Sequence, residues 1–176
     1  LEKNDEIGEK HIYEVYIDIM GKHSNMILVE NRVILDAYKR IRTRYRNIIP
    51  GETFNLFLSN KINPLKNLND LYLISRKFKG KIEEFVYKNI QGFSKVTARE
   101  VLFRAGLNEE QFDEKYLEKI IKIINEIMEE FNKNKIYVYY ENEKPYEISA
   151  FLLNHLGLDY EIFEIPEKAI SKFFEW

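Results

Sequence analysis

The chain has 176 residues, of which 45% are hydrophobic and 14% aromatic, and its formal net charge is −2. This composition excludes wholesale disorder, and the absence of cysteine excludes disulfides and thiolate zinc sites. No run approaches the roughly 18 apolar residues of a membrane-spanning helix, so no membrane span is expected. The first residue is Leu1 rather than Met, and no signal-peptide pattern follows it. We therefore expect a fragment of a longer, cytoplasmic protein.

The small net charge hides a segregation of charge along the chain. Residues 32–46 carry 6 basic and 1 acidic side chains, and residues 76–104 carry 8 basic and 3 acidic ones. Residues 1–31 and 109–176 are acidic, with net charges of −4 and −8. Two cationic surfaces on an acidic body would suit a polyanion such as nucleic acid. Basic faces that are merely solvated are the alternative.

The first third of the chain has the composition and partial alternation of β-strands. Residues 12–20 (IYEVYIDIM) and 26–30 (MILVE) are rich in β-branched and aromatic side chains. The GKHSN segment at 21–25 separates them. These features predict two strands joined by a turn.

Arginine occupies every second position in the basic stretch that follows. After a tight turn at Asn31-Arg32, the sequence KRIRTRYR spans residues 39–46. In a strand, a period of two would place all four arginines on one exposed face, where guanidinium groups could pair bidentately with phosphates. Tyr38 and Tyr45 could stack on bases beside them. The alternative is an exposed strand whose arginines pair with acidic segments elsewhere in the chain. The four arginines are Arg40, Arg42, Arg44 and Arg46.

A change of apolar period from two to 3.6 near Pro64 indicates a helical middle region. The segment IIPGETF (48–54) stops the preceding strands, and the polar connection at 60–70 marks the boundary. Gly106 is a natural residue to follow a helix. Helices are predicted over residues 69–79, 81–90, 95–105 and about 110–132.

The tail returns to strand-like patterns. Residues 136–140 (IYVYY) and 159–163 (DYEIF) are predicted strands, and residues 166–176 a helix that starts with proline. Residues 147–153 (EISAFLL) are predicted to be extended, although their apolar spacing fits a short helix equally well.

Together these patterns predict an α+β fold with three parts. Residues 1–62 would form an antiparallel β-rich unit, residues 63–133 a helical region, and residues 134–176 a small mixed α/β segment.

Residues 89–106 (NIQGFSKVTAREVLFRAG) have the register of a helix-hairpin-helix motif. In such a motif a glycine turn lets the backbone approach a phosphate, and the second helix points its N-terminus at the same anion. Gly92 and Ser94 stand at the two turn positions, with serine in place of the second glycine. Lys95 and Arg99 lie on the first turns of the second helix, where they could reach neighbouring phosphates. A purely structural helix pair is the alternative.

No pattern indicates metal binding or catalysis. His11, His23 and His155 are scattered, and none stands at metal-ligand spacing. The sequence contains no nucleophile elbow, Walker loop or HExxH motif. We therefore expect no metal, no cofactor and no enzymatic activity.

Several segments together resemble the FbpA/RqcH/NEMF family, in the family's own order along the chain. Residues 89–106 resemble its helix-hairpin-helix, and residues 144–164 and 167–176 resemble the part before its long coiled coil. The segments that resemble its NFACT-N domain are MGKHSNMILVE (20–30), VILDAYKR (33–40), RYRNIIPGETF (44–54) and KINP (61–64).

The resemblance implies a role in ribosome-associated quality control. Proteins of this family bind the large ribosomal subunit obstructed by peptidyl-tRNA and recruit tRNA to add C-terminal tails, which are alanine tails in bacteria. An older name for bacterial members, fibronectin/fibrinogen-binding protein, implies instead a cell-surface adhesin. The GKHSN segment adds two residues to the expected nucleic-acid surface. The candidate binding residues are Lys22, His23, Arg40, Arg42, Arg44, Arg46, Gly92, Ser94, Lys95 and Arg99.

The resemblance also predicts what residues 1–176 lack. An Asp-Arg pair that the family uses for tRNA recruitment would precede the matching region, and the coiled coil and NFACT-R domain would follow it. The chain is therefore expected to hold part of an RNA-binding platform rather than the complete factor.

Overall fold

The computed structural model describes residues 2–4, 8, 10–19, 24–44, 46–56, 60–108 and 110–175. The chain divides into two compact units, residues 1–58 and 59–176. Antiparallel sheets and helices occur together, so the predicted α+β class is confirmed. The helical region and the tail, which were predicted as separate parts, both lie in the second unit. No helix within the described residues is long and apolar enough to cross a membrane.

The first unit is built on an antiparallel sheet of four strands in sequence order. Asn31 and Arg32 have φ values of 49° and 64°, the left-handed pair that a two-residue hairpin turn requires, so the turn predicted there is confirmed. A later turn at Gly51 returns the chain, and Thr53 pairs with Val33. The strands of this unit are β1 (Glu2–Asn4), β2 (Lys10–Asp18), β3 (Asn25–Glu30), β4 (Val33–Ala37), β5 (Ile41–Arg42) and β6 (Asn47–Ile48).

Both faces of the four-stranded sheet carry apolar side chains. On one face, Ile27 and Val29 of β3 are fully buried in a cluster with Ile34, Ile48 and Phe54. On the other face, the register pairs Val15 with Leu28 and Ile17 with Met26. Three of these four side chains, those of Val15, Ile17 and Met26, are exposed. The outer face therefore lacks the polar alternation of an ordinary half-buried sheet.

The second unit has a helical core. Its first helix is shorter than predicted, because the chain leaves the helix after Ser75 and brings Phe78 against Phe85, with ring centroids 5.1 Å apart. Phe85 stacks in turn on Phe112 at 4.0 Å. The last helix begins later than predicted, because a 3₁₀ turn capped by the Asp113 side chain precedes it. The helices are α1 (Leu71–Ser75), α2 (Ile82–Asn89), α3 (Lys95–Ala105) and α4 (Leu117–Phe131).

The tail forms a three-stranded antiparallel sheet in the order β8-β7-β9, followed by a helix. The extended part of residues 147–153 ends at Ser149. Beyond it, the amide of Leu153 donates to the Tyr139 hydroxyl at 2.5 Å, instead of to a neighbouring strand. The predicted strand at 159–163 is confirmed at both ends. The elements are β7 (Ile136–Glu141), β8 (Lys144–Ser149), β9 (Asp159–Phe163) and α5 (Pro166–Phe174).

A buried polar network attaches the tail to the helices. The fully buried carboxylate of Glu100 accepts hydrogen bonds from Arg104 Nε at 2.6 Å and from the backbone N–H of His155 at 2.9 Å. Arg104 also donates to Glu130 at 2.6 Å and to the Leu152 carbonyl at 2.6 Å. Burial alone would raise the pKa of Glu100, but the hydrogen bonds from Arg104 and His155 outweigh it and hold that pKa below its ordinary value. These bonds join α3, α4 and the tail, which explains why they form one unit.

Candidate nucleic-acid interface

The turn between α2 and α3 is anchored from inside by two apolar side chains. Ile90 and Phe93 are buried, whereas Gln91 and Gly92 between them are exposed. Gly92 has φ of 81°, a conformation that a β-branched residue would resist. No heavy atom lies within 4 Å of the position that a Cβ on Gly92 would take. The glycine therefore supplies a backbone conformation and leaves open space in front of it.

Ser94 explains why the second turn position needs no glycine. Its φ is −92°, an extended conformation, and its hydroxyl accepts a hydrogen bond from the N–H of Thr97 at 3.2 Å. Ser94 is thus the N-cap of α3, and this cap sets the first residue of the helix.

The start of α3 leaves several backbone donors without an acceptor. Among the described residues, no hydrogen bond is formed by the backbone N–H groups of Ser94, Lys95 or Val96. Ser94 and Lys95 are exposed. The N–H of Phe93 donates within the turn, to the Ile90 carbonyl at 3.4 Å. Unpaired N–H groups and the positive end of the helix dipole attract an anion at this position.

Lysines surround a tyrosine next to this helix start. The Nζ atoms of Lys95 and Lys88 lie 5.6 and 6.0 Å from the centroid of the Tyr87 ring. Lys61 Nζ donates to the Tyr87 carbonyl at 2.8 Å. The hydrogen bond to Glu84 raises the pKa of Lys88, so this lysine stays charged.

Three of these residues, Lys61, Tyr87 and Lys88, were not among the sequence candidates. A parallel bridge between Ile62 and Ile90 brings Lys61 to the turn between α2 and α3. Its hydrogen bonds run from Ile62 N–H to the Asn89 carbonyl at 2.7 Å and from Gln91 N–H to the Ile62 carbonyl at 2.9 Å. No local sequence signal predicts such a long-range bridge. Lys88, in contrast, stands one residue after Tyr87 on a predicted helix, and could have been proposed.

Arg99 has an intramolecular partner. Its Nε lies 3.3 Å from Glu83 Oε1, and the side chain of Glu83 is nearly buried whereas that of Arg99 is 55% exposed. Arg99 therefore compensates a carboxylate of α2, and its contact with a phosphate stays a prediction.

The arginine segment does not form one strand, so the prediction of a single exposed face was wrong. The chain reverses between β5 and β6, where the Thr43 N–H donates to the Arg46 carbonyl at 2.9 Å. The reversal pairs Ile41 with Ile48 and lets Ile48 enter the core of the first unit. Burial of Ile48, with Ile41 packed against the same cluster, thus wins over a continuous strand. Tyr45, proposed as a stacking platform, lies outside the described residues.

The four arginines consequently have different surroundings. Arg46 is only 13% exposed and lies 2.6 Å from Asp18, so it is a structural residue rather than part of a surface. Arg40 lies 3.4 Å from Asp36 on an exposed site. Arg42 and Arg44 are exposed on either side of Thr43. Arg40, Arg42 and Arg44 therefore stay candidates for contact with a phosphate, and Arg46 does not.

Lys22 and His23 fall outside the described residues. The turn that carries Arg42 and Arg44 belongs to the first unit, and the turn between α2 and α3 belongs to the second. Within the described part of the chain, no group of three or more acidic or histidine side chains is placed to hold a metal ion.

Comparison with known proteins identifies the family of the chain. The profile described as NFACT N-terminal and middle domains matches residues 1–176. Rqc2 homolog RqcH of Bacillus subtilis is 32% identical over 114 residues, which is 61% of this chain and 20% of that protein. Rqc2 homolog RqcH of Streptococcus suis is 42% identical over 55 residues, 28% of this chain and 10% of that protein. The chain thus spans one fifth or less of the curated relatives it matches.

Two solved structures share the fold. The fibrinogen binding protein from Staphylococcus aureus superposes with a TM-score of 0.76 at 22% identity, over 99% of this chain and 64% of that one. The N-terminal part of the fibronectin/fibrinogen-binding protein from Streptococcus suis gives a TM-score of 0.61 at 20% identity, over 99% and 61% of the two chains. Because the profile matches the whole chain and RqcH proteins are among its relatives, the chain belongs to the NFACT family that comprises FbpA, RqcH and NEMF.

Proposed function

We propose that this chain is an RNA-binding module of a ribosome-associated quality-control factor and that it binds the phosphates of tRNA and of the large ribosomal subunit. The observation that carries the proposal is the start of α3. Unpaired N–H groups there follow a glycine turn with open space in front of it, beside the exposed cation of Lys95. This arrangement suits a phosphate oxygen, because donors and charge are in place before the ligand arrives.

Arg42 and Arg44 would supply a second phosphate contact, from the first unit. Both are exposed at a tight turn, in a segment with 6 basic and 1 acidic side chains. Their guanidinium groups can bind phosphate bidentately.

In the parent protein, this module would position tRNA on the obstructed large subunit while C-terminal alanine tails are added to stalled nascent chains. The support for this role is membership in the family that contains RqcH. We propose that the module itself binds and does not catalyse, and that the parent acts in the cytoplasm.

The test is a titration of the chain with tRNA at several salt concentrations. The logarithm of the affinity should fall linearly with the logarithm of salt, because each neutralised phosphate releases condensed counterions. Arg42→Glu with Arg44→Glu should weaken binding about fivefold or more per lost contact and should reduce the salt slope by about 0.7 to 0.9 per contact. The preference among tRNAs should not change, since phosphate contacts do not read sequence.

Lys115→Glu with Lys119→Glu is the matched control, since it makes the same kind of charge reversal at two exposed positions in the acidic half. It should alter binding little. Equal losses in the two double variants, or binding that does not depend on salt, would refute the proposed interface.

A competing proposal is that the parent binds fibronectin or fibrinogen at the cell surface. It rests on the names of two solved structures that share the fold at 22% and 20% identity. Titrating the same preparation with both plasma proteins decides between the two. We expect no saturable binding of the chain to fibronectin or fibrinogen. If the chain bound either of them more tightly than tRNA, the adhesin would be favoured.

A further inference from the structure

The strand β9 forms an open edge of the tail sheet. In the described part of the chain it pairs with β7, from Ile136 opposite Phe163 to Tyr140 opposite Asp159, and β7 alone is its neighbour in the sheet. Its first four residues are exposed. Half of the backbone N–H and C=O groups of an edge strand point away from its neighbour, so β9 offers a template for another strand.

The two faces of this edge differ in chemistry. Tyr160 and Ile162 lie on one face and are 45% and 51% exposed. The Tyr160 ring is held by Tyr137 and Tyr139, whose ring centroids lie 5.6 and 5.5 Å away. This face of β9 is therefore an apolar and aromatic surface whose tyrosine packs against two neighbouring rings.

The opposite face of β9 is anionic. Asp159 and Glu161 alternate with the apolar residues, which places their carboxylates about 7 Å apart along the strand. Neither carboxylate forms an ion pair among the described residues, while burial and the nearby charge of Glu161 raise the pKa of Tyr140. The surrounding segment 141–175 contains 8 acidic side chains and 3 basic ones, Lys144, Lys168 and Lys172. RNA phosphates would be repelled here, and a cationic ligand would be attracted.

We propose that β9 is a docking edge for an extended basic segment of another protein, which adds to the sheet as a fourth strand. Lysine or arginine side chains of that segment would lie opposite Asp159 and Glu161, and its apolar side chains would pack on Tyr160 and Ile162. Main-chain hydrogen bonds provide affinity in such strand addition, and the alternate side chains provide selectivity. Charged side chains on an edge also discourage unwanted pairing, so the same carboxylates would reject acidic partners.

The experiment uses a fluorescein-labelled nine-residue peptide of alternating lysine and valine, titrated into the 176-residue chain and followed by anisotropy. A peptide with glutamate in place of lysine tests the charge. A third peptide, with N-methyl groups on alternate backbone amides, keeps the charge but blocks one hydrogen-bonding edge. We expect the basic peptide to bind, the acidic one not to bind, and the methylated one to bind at least fivefold more weakly.

Variants of the chain then locate the site. Asp159→Lys with Glu161→Lys should weaken the basic peptide about four- to 25-fold, from two cross-strand pairs worth about two- to fivefold each, and should admit the acidic peptide. Glu118→Lys with Glu129→Lys, two exposed residues of α4, makes the same change in net charge and should cost less than twofold. Tyr160→Ala should weaken binding without changing the preference for charge.

Three results would overturn the proposal. The first is no binding of the basic peptide at concentrations up to about 1 mM, in which case the carboxylates only protect the edge. The second is an equal loss in the α4 control, which would indicate attraction by net charge. The third is an undiminished affinity for the methylated peptide, which would exclude strand addition.

Discussion

Gly92 allows the proposed phosphate site to be tested separately from folding. Its φ of 81° costs a residue with a Cβ about 1 to 3 kcal/mol, and asparagine much less, because asparagine tolerates left-handed conformations. Since no heavy atom lies within 4 Å of a Cβ built on Gly92, substitution introduces no clash, and the conformational cost is the whole cost. Gly92→Val should therefore destabilise the chain by about 1 to 3 kcal/mol, or roughly 2 to 10 °C in melting temperature.

Gly92→Asn is the informative variant. Its free energy of unfolding should stay within about 0.5 kcal/mol of that of the unsubstituted chain. The asparagine side chain would nevertheless lie where a phosphate would approach the backbone. Loss of one charge-assisted hydrogen bond, about 1.5 to 3 kcal/mol, corresponds to a loss of tRNA affinity of about tenfold or more. Thermal unfolding followed by circular dichroism gives the first quantity, and tRNA titration at fixed salt gives the second. If Gly92→Asn binds tRNA as tightly as the parent, close approach of a phosphate to this turn is refuted.

Three further predictions concern the network that attaches the tail. Glu100→Gln should lower the free energy of unfolding in urea by about 3 kcal/mol, because it leaves the nearly buried guanidinium of Arg104 without one of its charge partners. Burial would raise the pKa values of Glu100 and Glu130, but hydrogen bonds from Arg104 outweigh it and hold both below the ordinary value of 4.5. The stability that these two carboxylates contribute to the fold is therefore complete above pH 4.5 and is lost as the pH falls below it. Burial raises the pKa of Tyr139 from 10.0 to about 12, so the contribution of this tyrosine to stability is complete below pH 10 and is lost between pH 10 and 12. In that range Tyr139→Phe should make the free energy of unfolding less dependent on pH, by up to about 1.4 kcal/mol per pH unit.

Three results of these measurements would contradict the predictions. Urea midpoints of Glu100→Gln that equal those of the parent at neutral pH would mean that the network contributes nothing to stability. An acid transition of the parent that does not differ from that of the variant would contradict the lowered pKa of Glu100. Parallel alkaline curves for the parent and Tyr139→Phe would contradict the raised pKa of Tyr139.

Elements defined by local chemistry could be predicted from the sequence. The helix Lys95–Ala105 was predicted at both ends, because Ser94 is a side-chain cap and Gly106 adopts φ of 59°. The turn at Asn31-Arg32 and the strand at 159–163 were likewise predicted, since turn residues and period-two alternation act within a few positions of one another. The geometry of Gly92 followed from the same kind of signal, whereas its role in binding phosphate stays a prediction.

The arginine segment shows where local chemistry is insufficient. Its alternation is compatible with a strand, but Ile41 and Ile48 can pair and reach the core only if the chain reverses between them. That reversal buries Arg46 against Asp18 and divides the expected face. The full burial of Ile48 is worth on the order of 2 kcal/mol. The arginines carry like charges, so separating them costs no electrostatic free energy.

The sequence by itself therefore determined the α+β class, the turn chemistry and the family, because each depends on residues close together in the chain or on their order along it. Only the tertiary structure decided which charged side chains remain on the surface and which form ion pairs in the interior. Lys61 reaches Tyr87 through a bridge between residues 62 and 90, and Glu100 meets residues 154 and 155 across the second unit. Such contacts depend on how the helices and sheets pack, since an ion pair forms wherever packing brings opposite charges together, irrespective of their separation in sequence.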